Sequence, residues 1–90
     1  MQTIWKFELD GPQARQTVKM PLGATILSVQ MQNSKPSIWA LVNDAEPRVG
    51  HRIIHVAGTG FPCPGLTVGQ FLATVQAGPF VWHIFDLGWE

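Results

Sequence analysis

Apolar and polar residues alternate with period two in one segment of this chain after another, and turn-forming residues break the alternation every ten to twelve positions. Successive side chains on a strand point to opposite faces, so this rhythm argues for antiparallel β structure and against a helical bundle. In 3–9, Trp5, Phe7 and Leu9 share one face and Ile4, Lys6 and Glu8 the other. In 15–20, Val18 and Met20 point inward with Lys19 outward, and in 25–32 Leu27, Val29 and Met31 take the inner face.

Segment 37–42 is apolar on both sides, Trp39 and Leu41 against Ile38, Ala40 and Val42. It reads as a strand covered on both faces, by a second layer or by a partner subunit. Segment 49–57 is a fifth strand. Residues 66–69 read as a brief turn with Thr67 as cap, 70–76 as a strand favoured by β-branched Thr74 and Val75, and 80–87 as the last strand. The punctuation comes from Asp10-Gly11-Pro12, Pro21-Leu22-Gly23, Asn33-Ser34-Lys35-Pro36, residues 43–47, the loop 58–65 and Ala77-Gly78-Pro79. The expected fold is mostly β, a small antiparallel barrel or sandwich of about seven strands with at most one short helical turn. It occupies a single domain, 1–90.

At 90 residues with 46% hydrophobic and only 13% charged residues, apolar surface must be hidden somewhere. A domain of this size buries about 60% of its unfolded surface, so a homo-oligomer is the expected remedy. Six basic and six acidic residues cancel and are scattered singly, which argues against binding a DNA or RNA backbone. The single cysteine, Cys63, cannot pair within the chain and fits a reducing location. Charged residues within the opening MQTIWKFELD do not read as a signal peptide, and no apolar run approaches the ~20 residues of a spanning helix. A cytoplasmic protein that does not enter the membrane is expected.

The segment Val49–Gly65 concentrates the candidate site. His51 and His55 stand four apart on one strand face, ~13 Å from each other, which is too far to share a metal ion. His83 could meet His55 across strands, but no third ligand is evident. Cys63 is flanked by Pro62 and Pro64, which remove backbone donors from a thiolate. The serines lack an acid–base neighbour, and the carboxylates do not pair. The expectation is therefore a non-enzymatic protein without metal or cofactor. Gly58-Thr59-Gly60 after a strand can form a concave turn whose amides face an anion, with His51, Arg52 and His55 lending positive charge. Four tryptophans and five phenylalanines accompany no tyrosine. Trp5, Trp39 and Trp82 fall mid-strand and read as core, whereas Trp89 reads as an interface anchor or a stacking platform.

Over nearly its full length the chain resembles a family of short, uncharacterised proteins of tailed phages and prophages. The likeness is carried by TIWKFEL, MPLGATILSVQMQN, SIWALV, VAGTGFP and TVQAGPFVWHIFD taken together. That pattern often has His where this chain has Phe61. The resemblance implies an origin and a host-cytoplasm setting, and it carries no catalytic residues over. Small phage proteins without an enzyme signature act by binding. The expected role is accordingly to counter host antiviral defence by sequestering a nucleotide immune signal in a homo-oligomer, with His51, Arg52, His55, Gly58, Thr59, Gly60 and Trp89 as ligand-binding residues. The alternative is a protein-binding inhibitor or adaptor acting on a host or virion protein, anchored by Trp39 or Trp89.

Overall fold

The fold is seen in a computed structural model that describes residues 1–11 and 14–90; Pro12 of the first expected turn lies outside them. Seven strands form in the order β1 (Gln2–Glu8), β2 (Arg15–Pro21), β3 (Thr25–Gln32), β4 (Lys35–Asn43), β5 (Val49–Gly58), β6 (Phe71–Ala77) and β7 (Phe80–Trp89). One 3-10 turn, Val68–Gln70, precedes β6, and its start is held by the Thr67 N–H donating to Gln70 Oε1. The strands divide into a three-stranded sheet, β1-β4-β3, and a four-stranded sheet, β2-β5-β7-β6, with every pairing antiparallel. Of the two expected architectures, the chain adopts the open sandwich; the sheets do not close into a barrel.

Inner faces meet over Ile38, Ala40 and Val42 of β4, Ile54 and Val56 of β5, and Ile84 of β7, flanked by Leu9, Met20, Val29 and Val75. This is the packing that alternation dictates: one apolar residue in two, from both sheets, fills the space between them. The β3–β4 hairpin turns on Asn33 and Ser34 alone, both with positive φ (52° and 66°). Two consecutive left-handed residues are the signature of a type I′ turn, whose twist suits a hairpin. Hence β4 starts at Lys35, earlier than the sequence pattern suggests.

Three expectations about faces are corrected. A β-bulge between Ile26 and Ser28 inserts one residue into β3, so Leu27 turns out to solvent and Ile26 packs against the core in its place. Trp5 lies on the inner face, opposite Ala40, but on an edge strand, and it remains 42% exposed. Trp39 and Leu41 do occupy the face opposite Ile38 and Ala40, but among the described residues that face is not buried by a second layer, and both side chains are half-buried. With Ile4 directly across from Leu41 and Leu27 beside Trp39, they make an apolar patch on the outside of the smaller sheet.

The bulge makes neighbouring residues unequal. Leu27→Ala should change unfolding free energy by less than about 0.5 kcal/mol, as an exposed site does. Ile26→Ala should cost about 2 kcal/mol by opening a void in the core. Urea denaturation of the two variants checks the assignment.

Candidate functional site

β5 is the spine of the expected site, and its length separates the parts. Arg52 and Gly58 stand six residues apart on it, ~20 Å at 3.3 Å per residue. Residues Gly50, Arg52, Ile54, Val56 and Gly58 face inward, whereas His51, Ile53 and His55 face out. The seven residues singled out in sequence therefore fall into three places rather than one.

At the first end, Arg52 and Trp89 come together across the β5–β7 ladder, with the guanidinium 4.7 Å from the indole centroid. Arg52 is engaged through all three of its nitrogens. Its Nε donates to Asp86 Oδ1 at 2.9 Å, its Nη2 to Asp86 Oδ2 at 2.6 Å, and its Nη1 to the Ala24 carbonyl of the opposite sheet at 3.1 Å. The indole lies on Gly50, where a Cβ would come within 2.7 Å of it, so the absence of a side chain makes room for the ring. Burial alone would raise the Asp86 carboxyl. Hydrogen bonds from Arg52 and the Gly88 N–H, together with the guanidinium charge, outweigh this and hold its pKa below the ordinary carboxylate value. Arg52 is thus a clamp between strands, with its charge paired and three of its five N–H donors committed.

His51 and His55 lie on the outer face of the larger sheet, opposite Lys19 and Arg15 of β2. His51 is exposed, while His55 is half-buried with Nδ1 lacking a hydrogen-bond partner. Burial first and the Arg15 charge second push the His55 pKa below its usual value.

At the far end, Gly58, Thr59 and Gly60 turn the chain out of β5, with Gly60 at φ 88°. The turn does not bare its amides as a nest. Thr59 N–H donates to the Val81 carbonyl at 3.2 Å and Phe61 N–H to the Gly58 carbonyl at 3.0 Å. What the turn presents is a hydroxyl and a ring. Gly58, Thr59 and Phe61 wall a cleft of about 550 Å³ whose other sides are Val56, Gly11, Ala14 and the start of β7, Pro79–Trp82. Phe80 and Trp82 stack at 6.5 Å between centroids with 15° between planes. Phe61 and Phe80 stand 70% and 61% exposed at the mouth, while Trp82 packs inward against the core. Gly11 permits this arrangement, since a Cβ there would lie 2.5 Å from the Trp82 ring.

Sequence reasoning placed Trp82 in the core and gave neither Phe61 nor Phe80 a role, because an isolated aromatic beside glycine and proline carries no periodic signal. It weighed His83 as a partner of His55 across strands, but the register sets His55 opposite Phe85, and His83 opposite Ala57 and Thr74. This imidazole is gripped from both sides, by Thr59 Oγ1 on Nε2 at 2.8 Å and Thr74 Oγ1 on Nδ1 at 2.9 Å. Thr59 is thereby fixed as a polar side chain at the edge of an otherwise apolar cleft. Cys63 is exposed, its Sγ 3.4 Å from the Phe61 carbonyl. Among the described residues no group of three or more His, Cys, Asp or Glu could hold a metal ion, and no helix is long and apolar enough to cross a membrane.

Two expectations for stability follow from these groups. Asp86→Asn strands Arg52 and should cost about 3 kcal/mol. The folded Asp86 pKa lies below its unfolded value, so its stabilisation is complete above about pH 4 and drains away as pH falls through the folded pKa. His55, also depressed, favours the neutral form in the folded chain, so acidification through about pH 6.5 should already erode stability. Thermal melts of wild type, Asp86→Asn and His55→Gln between pH 8 and 3 check both. The early loss should vanish in His55→Gln, and the late one should shrink in Asp86→Asn.

No curated protein and no solved structure matches this chain. Residues 1–89 match a single family along their length, and the chain belongs to it: the Domain of unknown function (DUF7352) family.

Proposed function

We propose that this protein is a non-enzymatic phage accessory protein that acts in the host cytoplasm. It counters antiviral defence by binding and sequestering a nucleotide immune signal within a homo-oligomer. The observation that carries this reading is the aromatic cleft formed by Phe61, Phe80 and Trp82. Its volume of about 550 Å³ falls in the range of small-molecule sites, which combine mostly apolar walls with a few placed polar groups. A nucleobase has the flat π-face that such rings stack on, each stacked base contributing about 1–3 kcal/mol. Thr59, held by His83, supplies a hydrogen-bonding handle for a base edge. Sequestration needs binding, and mostly apolar walls with a placed hydroxyl suit that task.

Oligomerisation is supported by the patch of Ile4, Leu27, Trp39 and Leu41. Its neighbouring charges, Lys6, Glu8 and Lys35, already pair among themselves, so a second copy could cover this face without stranding a charge. The same patch favours a second reading, an inhibitor or adaptor that docks a host or virion protein.

Native mass spectrometry of protein purified from cells that make defence nucleotides separates the two readings. Sequestration expects an oligomer that releases a stoichiometric nucleotide on denaturation. Phe80→Ala should weaken that nucleotide's binding about tenfold or more, with the fold intact. A ligand-free monomer would overturn sequestration and direct attention to protein partners. Trp39→Glu should yield a monomer by light scattering; an unchanged oligomer would exclude the outer face of the smaller sheet as the interface.

A further inference from the structure

The basic residues are scattered in sequence, but the fold sorts them. Lys6 and Lys35 pair with Glu8, Arg48 with Glu46, and Arg52 with Asp86. Arg15 and Lys19 have no ion pair among the described residues. Both are exposed on the outer face of β2, four positions apart, and each sits directly opposite a histidine of β5: Arg15 across from His55, Lys19 across from His51. Like charges directly opposite on neighbouring strands are destabilising. Whenever its imidazole is protonated, each rung therefore carries a repulsion that an anion would relieve.

The two rungs differ. Beside His51 the Glu90 N–H donates to the His51 carbonyl, which puts an acidic residue in register with the Lys19 rung. His55 is faced by Arg15 from β2 and by the uncharged Phe85 from β7, with His83 one row further along the sheet. The acidic residues lie elsewhere: Glu8 on the other sheet, Asp10 before β2, Asp44 and Glu46 in the β4–β5 loop, and Asp86 facing inward beneath Arg52. The His55 Nδ1 is buried and unpartnered, so it is closed to an anion at the surface and Nε2 is the ring nitrogen that one can reach.

We propose that the Arg15–His55 rung is an oxyanion site that takes a phosphate group. The guanidinium supplies a planar fork of donors suited to a tetrahedral oxyanion, and the imidazole adds a third donor from the neighbouring strand. The site is separate from the aromatic cleft and does not depend on it. Nor does it require a polymeric phosphate backbone, since one rung accommodates one anionic group.

The test is titration of inorganic phosphate into the full chain, followed through the His55 imidazole resonances. Bound phosphate should shift them saturably and raise the His55 titration midpoint, because the anion stabilises the imidazolium. Sodium chloride at equal ionic strength should do neither. Arg15→Gln should weaken the phosphate effect at least fivefold and Lys19→Gln less than twofold, with circular dichroism showing that both variants are folded. Equal losses from the two variants, or a shift that chloride reproduces, would replace the site with a diffuse surface field and overturn the proposal. A nucleoside monophosphate run in parallel identifies the source: tighter binding than inorganic phosphate assigns the rung to an ester, equal binding to the free ion.

Discussion

The two sheets are locked at one end by a single charged contact. Arg52 of β5 grips Asp86 of β7 through two hydrogen bonds and reaches across to the Ala24 carbonyl at the entrance of β3, beneath the Trp89 ring. Strand neighbours and opposing sheets are thus tied at one point. The carboxylate also receives the Gly88 N–H, inside the irregularity where Ile53 pairs with Gly88 and Ile54 with Asp86. Gly88 adopts a φ of 89°, open to glycine at little cost, and this lets β7 run on to Trp89 and cap the clamp. A largely buried pair of this kind adds little over an apolar alternative, but losing one partner is costly, which makes it a device for specifying one arrangement.

Closing one end of the sandwich leaves the other free to open. There the polypeptide leaves β5 through Gly58–Gly60 and enters β7 through Gly78–Pro79, and the aromatic rings between those turns have no second sheet to cover them. The cleft is consequently built on strand ends carried by a rigid core. Trp82 forms its floor because Ile84, two residues on along the same face, is fully buried. A binding protein gains from such placement, since little ordering is required when a ligand arrives.

The outer faces have different characters for the same reason. A sandwich of two sheets buries only its inner surfaces, so residues on the outside answer to local pairing. On the smaller sheet this exposes Ile4 and Leu27 beside half-buried Trp39 and Leu41; on the larger it sets Arg15 and Lys19 opposite histidines. A chain with zero formal net charge can therefore present one cationic face and one apolar one. Net charge describes solubility and long-range attraction, while the register of the strands decides where charge is displayed.

Strand content, strand order in the chain, the turn before β6 and the two-layer character were legible in the residues, because period two and turn chemistry act over a few positions. Met20 and Val29 could be assigned inward on that basis. Leu27 could not, since a one-residue bulge turns it out of the alternation that Val29 and Met31 keep and leaves no mark in composition. Nor could the site. Sequence proximity on β5 grouped Arg52 with Gly58 and Thr59, yet an extended strand holds them ~20 Å apart. Conversely, Phe61, Phe80 and Trp82 line one cleft only because β5 pairs with β7, and His83 finds Thr59 across that pairing and Thr74 across the β6–β7 pairing. The sequence by itself determined an antiparallel β domain with turns at set places. Only the tertiary structure decided which arginine is spent on a carboxylate and which remains available, because that depends on long-range register, which alternation alone does not encode.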